Sequence, residues 1–430
     1  MWNFCTEPEF QEKLDWMADF VREDIEPLDQ LWPDLSEPYD VHNQAARAVI
    51  KPLQQRVRAQ GLWACHLGPE LGGQGFGQVK LALMNEILGR SRWAPTVFGT
   101  AAPDTGNAEI LAMFGTQAQK QRFLQPLLDG DIVSCFSMTE PQGGADPAVF
   151  TTCAVRDGDA WVIDGEKWFS SNARFASFLI VMCVTNPEVA VHKGCSMFLV
   201  PTDTPGVQIL RNTRVYGEAP GRGAHAYIRY ENVRVPLDAM LGDEGRGFAV
   251  AQARLGGGRV HHAMRTVGQC QKALDMMAER ALSRVTKGEP LARKQIVQHY
   301  LADSYIELRQ LRLLVLETAW RIDQGHDYKA NQMSIAAIKV AAPKVYHDIV
   351  QRAMQVHGSL GVSDEMPLGQ MWMHTMVMGL VDGPTEIHKE TVAKNLLRNY
   401  VPTAGLFPST HGVALREAAI RKCPSATKQD

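Results

Sequence analysis

The sequence carries almost no excess charge of either sign. Its 430 residues include 44 lysines and arginines against 47 aspartates and glutamates, which leaves a net charge of −3. A protein held to nucleic acid by bulk charge shows clustered lysines and arginines instead. We therefore exclude nucleic-acid binding that depends on overall charge. The length is too great for one small domain and predicts several structural layers that share buried cores.

Long apolar runs are also missing. The longest conspicuous one, Phe178–Val184, has the length of a strand and falls far short of the ~18 residues that span a bilayer. The first thirty residues are rich in aspartate and glutamate and have only Lys13 and Arg22 as basic residues, whereas signal and transit peptides are basic and poor in acids. These features predict a soluble, cytoplasmic protein without a membrane span or a targeting peptide.

Paired cysteines and the common metal and nucleotide motifs are absent as well. The eight cysteines form no CxxC pair, which favours buried thiols in a reducing compartment over a redox motif, a zinc site or a disulfide framework. His261 and His262 are adjacent, so on a helix they do not face one metal ion, and no third ligand is spaced to join them. The glycines at 256–258 lack the preceding strand of a dinucleotide-binding fingerprint. No Walker A or GxSxG sequence occurs, and we expect no metal site, P-loop or hydrolase nucleophile.

The hydrophobic periodicity divides the chain into three zones and a tail. Residues 1–130 show helical spacing, and residues 131–245 show the alternation of strands. In the second zone, Asp157-Gly158 and Asp164-Gly165 predict tight turns on both sides of one strand. Residues 246–400 form long amphipathic stretches typical of an antiparallel helix bundle, at 260–283, 292–324, 330–357 and 383–398. Residues 401–430 have the composition of a loosely held tail.

Four segments depart from ordinary helix and strand composition. Small and hydroxyl residues at 136–147 and aromatic and hydroxyl residues at 165–172 suit a flat ligand with a polar edge, although a tight loop and a strand with core aromatics also explain them. The glycines at 355–361 suit a pyrophosphate, or a helix C-cap. At 381–388, Asp382 precedes Gly383 and Pro384, as expected either of a catalytic base beside free backbone N–H groups or of a helix N-cap.

Taken in order, these segments resemble the acyl-CoA dehydrogenase family of flavoproteins, from about residue 5 to residue 400. The family signature Thr-Glu-Pro followed by Asp is matched by Thr139-Glu140-Pro141 and Asp146. Its Val-Pro, Leu-Gly and Gly-x-Gly-Phe series is matched at 235–248, and its Arg-x-x-x-Gly, Leu, Gln and Leu-Ala-Asp helix at 284–303. Each match alone is modest evidence, but together and in register they make the resemblance strong.

The resemblance implies an α+β fold with an N-terminal α-helical domain, a central antiparallel β barrel-like domain and a C-terminal four-helix bundle. It also implies FAD, bound in a cleft between the β domain and the bundle. The implied cofactor-binding residues are Phe136, Met138, Thr139, Phe169, Ser170, Ser171, Arg284, Gln295, Gln355, Gly358, Ser359, Pro384 and Glu386. Among them, Arg284 and Gln295 are expected to contact the FAD of a neighbouring subunit, which implies a homodimer or homotetramer. Ala145 and Arg259 are the implied substrate-binding residues.

One departure from the family pattern bears on the chemistry. Family members usually have Glu before Gly-Thr, whereas here Asp382 stands before Gly383-Pro384, which looks most like the subgroup whose larger members carry a fused kinase-like domain. Another branch of the family places its base on the helix that contains Gly258, and a glycine cannot serve there. Asp382 is therefore the candidate base. Phe169 replaces the usual flavin-flanking Trp, and Ser171 the usual Thr.

The implied reaction is the α,β-dehydrogenation of an acyl-CoA thioester, a step of fatty acid metabolism. Asp382 is expected to remove the α proton while hydride passes from the β carbon to flavin N5, and an electron-transferring flavoprotein is the expected acceptor. Within the same fold, acyl-CoA oxidase and nitroalkane oxidase are alternatives, the second weakened because its active-site arginine falls on Lys389. A FAD-containing nucleic-acid-binding relative is a third alternative, which the near-neutral charge disfavours.

Overall fold

The structure, a computed structural model, describes residues 5–32, 39–69, 73–215, 220–221, 223–325, 328–403 and 405–423. The end of the predicted tail, residues 424–430, lies outside these ranges. In chain order the described residues form a set of helices, a sheet and a second set of helices, which confirms the predicted fold class. In these ranges we find no helix with the length and apolarity that crossing a bilayer requires.

Most of the longer N-terminal helices share one core. The N-terminal helices are α1 (Pro8–Phe20), α2 (Leu28–Leu31), α3 (Gln44–Ala59), α4 (Gly77–Leu88), α5 (Ala94–Val97), α6 (Asp104–Phe114), α7 (Gln117–Gln119) and α8 (Gln125–Asp129). Of these, α6 and α8 pack against the sheet instead. Helix α1 continues into a π turn at Val21–Ile25, and α7 joins α8 through another at Lys120–Leu124. A capping box begins α7, because Thr116 accepts a hydrogen bond from Gln119 N and the Gln119 side chain accepts one from Thr116 N.

The central zone is an eight-stranded, mostly antiparallel sheet. Its strands are β1 (Ser134–Ser137), β2 (Cys153–Asp157), β3 (Ala160–Ser171), β4 (Phe178–Val184), β5 (Cys195–Pro201), β6 (Val207–Thr213), β7 (His225–Pro236) and β8 (Met240–Leu241), with the short helix α9 (Val191–Gly194) between β4 and β5. The strand order is β6-β7-β3-β2-β4-β5-β8, and β1 pairs with β4 in parallel. Side chains of β4 point alternately into two cores, which explains why this strand is apolar throughout.

One of the two predicted Asp-Gly turns is wrong. Asp157-Gly158 does join β2 to β3, but the chain continues straight through Asp164-Gly165 as part of β3. The register against β7 shifts there, so the pair forms a β-bulge. Gly165 has φ +142°, and a Cβ on it would lie 2.6 Å from Cα of Thr152, a contact that only glycine allows.

The C-terminal helices pack around a second large core. They are α10 (Gly247–Ser283), α11 (Gln295–Gly325), α12 (Gln332–His357), α13 (Leu368–Leu380) and α14 (Thr385–Leu397), with the two-residue strands β9 (Val285–Thr286) and β10 (Glu289–Pro290) between α10 and α11. Helix α10 begins well before the predicted residue 260, because its three consecutive glycines at 256–258 lie inside the helix, and α13 was not predicted at all. In the tail, α15 (Gly412–Lys422) has no buried residue.

Candidate active site

The two sheet segments that the sequence singles out are adjacent. Trp168 N donates a hydrogen bond to Thr139 O at 2.8 Å, and the hydroxyls of Ser137 and Ser170 are 2.8 Å apart. These contacts place residues 136–139, at the end of β1, beside residues 168–171, at the end of β3. The Ser170 side chain is fully buried in this contact and faces the interior of the β domain.

An aromatic platform borders these segments. Phe169 has φ +49° and is 40% exposed, which is unusual for a large apolar side chain in a strand. Its ring lies 4.7 Å from that of Trp168 and 5.4 Å from that of His225, centroid to centroid. The Ser171 hydroxyl is 2.9 Å from Nδ1 of His225. The sequence did not point to His225, which is 54 residues from Ser171.

A buried ion pair links residues 138–140 to β3. Nζ of Lys167 donates to Met138 O and to Oε1 of Glu140, each at 2.8 Å, and both charged side chains are almost wholly inaccessible. Burial acts to raise the pKa of Glu140, but Lys167 and the donors at Thr151 and Thr152 outweigh it and lower that pKa. The carboxylate therefore stays ionised and fixes the backbone beside Thr139.

Arg254 connects the β domain to α10. Its guanidinium lies 4.1 Å from the ring centroid of Phe136, and its Nε donates to Oδ1 of Asn107 on α6 at 2.8 Å. The side chain is 8% exposed. No sequence motif marked this residue. One helical turn farther along α10 lies Gly258, which contacts Asp382, so the Phe136 segment and Asp382 border the same cleft.

Asp382 occupies a strained link between α13 and α14. It has φ +56°, in the left-handed region that a non-glycine residue adopts at a cost. Its carbonyl oxygen accepts a hydrogen bond from Nε of Arg259 at 2.9 Å and lies 3.3 Å from Nε2 of His388. No group in the described part of the chain accepts a hydrogen bond from the Asp382 N–H. That N–H is therefore available to a ligand.

Positive groups surround the Asp382 carboxylate. Burial raises its pKa, but the groups that face it more than offset this and lower the pKa below its usual value, with His262 first, followed by the positive Arg254, Arg259 and Lys339. Burial lowers the pKa of His262 to about 3, so this imidazole is neutral at pH 7 and the charges come from the arginines and Lys339. The carboxylate is thus ionised and able to accept a proton at neutral pH.

Lys339 supports the same link from α12. It is 1% exposed, and its Nζ donates to Met378 O, near the end of α13, at 2.7 Å. Burial lowers the pKa of Lys339 to about 8, against the opposing effect of Asp382. A cation at the carboxyl end of a helix is favourable, and here it fixes the helix that leads into Asp382.

The structure separates the predicted cofactor residues into two groups. One group is exposed and lies at the end of α10, the start of α11 and the end of α12: Arg284, Gln295, Gln355, Gly358 and Ser359. From Gly258 to Arg284 the helix axis runs about 39 Å, at ~1.5 Å per residue. Within one chain, Arg284 is therefore far from the part of α10 that faces Asp382.

The remaining predicted residues lie near the cleft ends. Pro384 and Glu386 begin α14, whose N-cap makes no side-chain hydrogen bond, so its first N–H groups are open to a ligand. Ala145 is exposed in the loop after β1. Arg259 was predicted to bind substrate, and its Nε contacts the carbonyl of Asp382.

Comparison with known proteins identifies the family. The N-terminal, middle and C-terminal domain models of acyl-CoA dehydrogenase match residues 7–131, 135–233 and 245–397. Acyl-CoA dehydrogenase FadE2 of Mycobacterium tuberculosis is 43% identical over 88% of this chain and 93% of its own length. Human acyl-CoA dehydrogenase family member 11 is 39% identical over 90% of the chain but 50% of its own length, so the chain spans about half of that relative.

Solved structures agree. A Mycobacterium abscessus protein described as an acyl-CoA dehydrogenase is 36% identical with a TM-score of 0.84, over 93% of this chain and 100% of the other. Butyryl-CoA dehydrogenase of Megasphaera elsdenii is 26% identical with a TM-score of 0.79, over 92% and 100%. The chain therefore belongs to the acyl-CoA dehydrogenase family, whose members are FAD-dependent oxidoreductases.

The residues of the cleft fit FAD. Phe169 offers an exposed flat surface of the kind that stacks on a ring system, next to the hydroxyl of Ser171. The first turn of α14, whose N-cap makes no side-chain hydrogen bond, and the Asp382 N–H, which has no acceptor among the described residues, offer donors to polar groups of a ligand. Met138, Thr139, Phe169 and Ser171 are the residues of this chain that would hold the flavin ring.

Proposed function

We propose that the protein catalyses the α,β-dehydrogenation of an acyl-CoA thioester with Asp382 as the base. The observation that carries this proposal is the combination at Asp382 of an ionised, nearly buried carboxylate and a backbone N–H that donates to no group in the described part of the chain. The N–H donates to the thioester carbonyl, and the carboxylate takes the α proton. Bound FAD supplies the acceptor for the hydride that leaves the β carbon.

In this reaction the protein increases the acidity of the α C–H bond and positions the base next to it. A hydrogen bond to the thioester oxygen stabilises negative charge as it develops there. Exclusion of water by the acyl chain raises the proton affinity of the Asp382 carboxylate, because it removes the solvent that stabilises the ionised form. Aspartate reaches about 1.5 Å less far than glutamate, so the left-handed backbone at Asp382 must bring the carboxylate close to the substrate.

The test is anaerobic reduction of the bound flavin by a panel of acyl-CoAs that differ in length, branching and hydroxylation. We expect bleaching of the flavin absorbance with the wild type and none with Asp382→Asn, which keeps the size of the side chain and removes the base. Equal flavin content in both proteins shows that the cofactor site is intact. Bleaching of the Asp382→Asn flavin at the wild-type rate excludes Asp382 as the base.

The electron acceptor and the oligomer are further parts of the proposal. We infer that an electron-transferring flavoprotein reoxidises the enzyme, as the family context supports. Reduction of that partner with little peroxide in air is expected of a dehydrogenase, and stoichiometric peroxide of an oxidase. Salt-sensitive retention on DNA would instead favour a nucleic-acid-binding relative. The two separated groups of cofactor residues support a homodimer or a homotetramer in which each FAD contacts two chains.

A further inference from the structure

Two residues of α10 face the same oxygen of Asp382. A Cβ at Gly258 would lie 3.1 Å from Oδ2 of Asp382, which is closer than nearly all such contacts. Nε2 of His262 lies 3.5 Å from the same Oδ2. Residues four apart share a helix face, so Gly258 and His262 form one surface against which the carboxylate rests. The glycine leaves room for Oδ2, and the imidazole provides a polar group beside it.

The protonation states of the pair determine what the contact does. His262 is neutral at pH 7, since burial lowers its pKa to about 3, and Asp382 is ionised. A neutral imidazole has one protonated nitrogen. An unprotonated Nε2 would set its lone pair against a carboxylate oxygen, so the favoured tautomer carries its proton on Nε2, on the side of Oδ2. The separation of 3.5 Å is beyond the ordinary N–H···O range, so the hydrogen bond forms only when the two groups move closer, as catalytic contacts do when substrate binds.

We propose that His262 is a positioning residue for the base: it holds Oδ2 of Asp382 against the gap at Gly258, so that Oδ1 remains directed at the substrate. The proposal rests on the function proposed above for Asp382. It explains how a side chain one methylene shorter than the usual glutamate keeps a defined direction. One oxygen is fixed by the protein and only the other is free to accept the α proton.

The other groups that face Asp382 do not replace this contact. Arg259 on α10 and His388 on α14 lie against its backbone carbonyl, and Lys339 on α12 donates to Met378 O. Arg254 on α10 donates through Nε to Asn107. These groups act on the charge of the carboxylate from a distance, whereas Nε2 of His262 lies 3.5 Å from Oδ2.

The kinetic test compares three variants of the FAD-loaded enzyme. His262→Leu removes the donor, His262→Gln retains an N–H donor, and Gly258→Ala fills the gap. We expect His262→Leu and Gly258→Ala to lower the limiting rate of anaerobic flavin reduction about tenfold or more, with little change in the acyl-CoA concentration for half-saturation. His262→Gln is expected to recover most of the rate. Because a donor to the ionised form lowers a pKa, the acid limb of the rate profile should move to higher pH in His262→Leu.

A second measurement does not depend on turnover. In 15N-histidine NMR spectra of the holoenzyme without substrate, we expect Nε2 of His262 to be protonated and its resonance to move in Asp382→Asn. A His262→Leu rate within twofold of the wild type, or a His262 resonance that Asp382→Asn leaves unmoved, overturns the proposal. Failure of every acyl-CoA to reduce the wild-type flavin counts against the proposed reaction instead, and the NMR comparison still decides the contact.

Discussion

Nζ of Lys167 lies 2.8 Å from Oε1 of Glu140, the residue after the predicted flavin contact Thr139, and both side chains are almost wholly buried. Loss of one partner leaves an unpaired buried charge, so we expect Lys167→Met to lower the free energy of unfolding by about 3–5 kcal/mol. We also expect it to lower the flavin content, because Met138 O loses its donor. Denaturant unfolding and flavin absorbance measure the two effects.

The double variant Lys167→Met with Glu140→Met is the matched control. It removes both charges and is expected to be more stable than either single variant, since no unpaired ion remains. A loss below about 1 kcal/mol in Lys167→Met would show that the pair does not hold this segment.

The second prediction concerns Arg259, which the sequence assigned to substrate and whose Nε contacts Asp382 O at 2.9 Å. If its role is to hold the base, Arg259→Met lowers the limiting rate of flavin reduction about tenfold while the half-saturating acyl-CoA concentration stays nearly unchanged. Stopped-flow reduction at several acyl-CoA concentrations separates the two parameters. A raised half-saturation concentration at an unchanged rate would return Arg259 to the substrate-binding role.

Local sequence patterns predict some features of this fold and miss others. Strand β4 and the Asp157-Gly158 turn depend on neighbours in the chain, and local patterns are sufficient to find them. Asp164-Gly165 was assigned wrongly because its conformation depends on Thr152 packed against Gly165, which a dipeptide does not reveal. Motifs carried over from the resemblance located Asp382, which local composition left open between a base and an N-cap.

The contacts that support the site could not be predicted from the sequence, because they join residues far apart in the chain. Arg254 meets Asn107 at a separation of 147 residues, and Arg259 meets Asp382 at a separation of 123. Such pairs form only when separate elements pack, and the hydrophobic periodicity of one helix does not indicate which residues of another element contact it. Lys167 and Lys339 look like ordinary lysines in the sequence, and only their burial distinguishes them.

The third prediction concerns pH and a buried histidine. His66 is 7% exposed, neither ring nitrogen has a partner in the described part of the chain, and burial lowers its pKa to about 3. The unfolded chain binds a proton near pH 6.5 while the folded protein does not, so the contribution of His66 to stability is present above pH 6.5 and is lost as the pH falls toward 3. Between pH 7.5 and 5.5 this amounts to about 1 kcal/mol.

His66→Met is expected to remove that dependence. Denaturant unfolding at pH 7.5 and 5.5 should show a loss of stability that is about 1 kcal/mol smaller in the variant than in the wild type. Burial raises the pKa of Glu109 to about 8 and gives the opposite slope in this range, which is why the comparison is made between the two proteins and not between two pH values of one. Equal losses in both would mean that His66 is protonated in the folded state.

The last prediction concerns the separation of about 39 Å between Gly258 and Arg284 along α10. If each FAD contacts the cleft of one chain and Arg284 of another, two defective variants complement each other. Asp382→Asn lacks the base, and Arg284→Glu places a negative charge where we expect the cofactor phosphates. We expect the first to bind FAD without being reduced and the second to bind FAD weakly.

When equal amounts of both chains form two-fold dimers at random, half of the dimers are mixed. Each mixed dimer has one intact site, in which the Arg284→Glu chain supplies the cleft with Asp382 and the other chain supplies Arg284. Acyl-CoA should then reduce the flavin in about a quarter of all sites. The fraction of flavin absorbance that is bleached after the mixture is refolded measures this directly. Complementation requires that the two residues act at one site from different chains. If both residues served a site built from a single chain, each chain would carry one defect and every site of the mixture would be defective. No gain over the separate variants would place Arg284 and Asp382 on sites that do not share a cofactor.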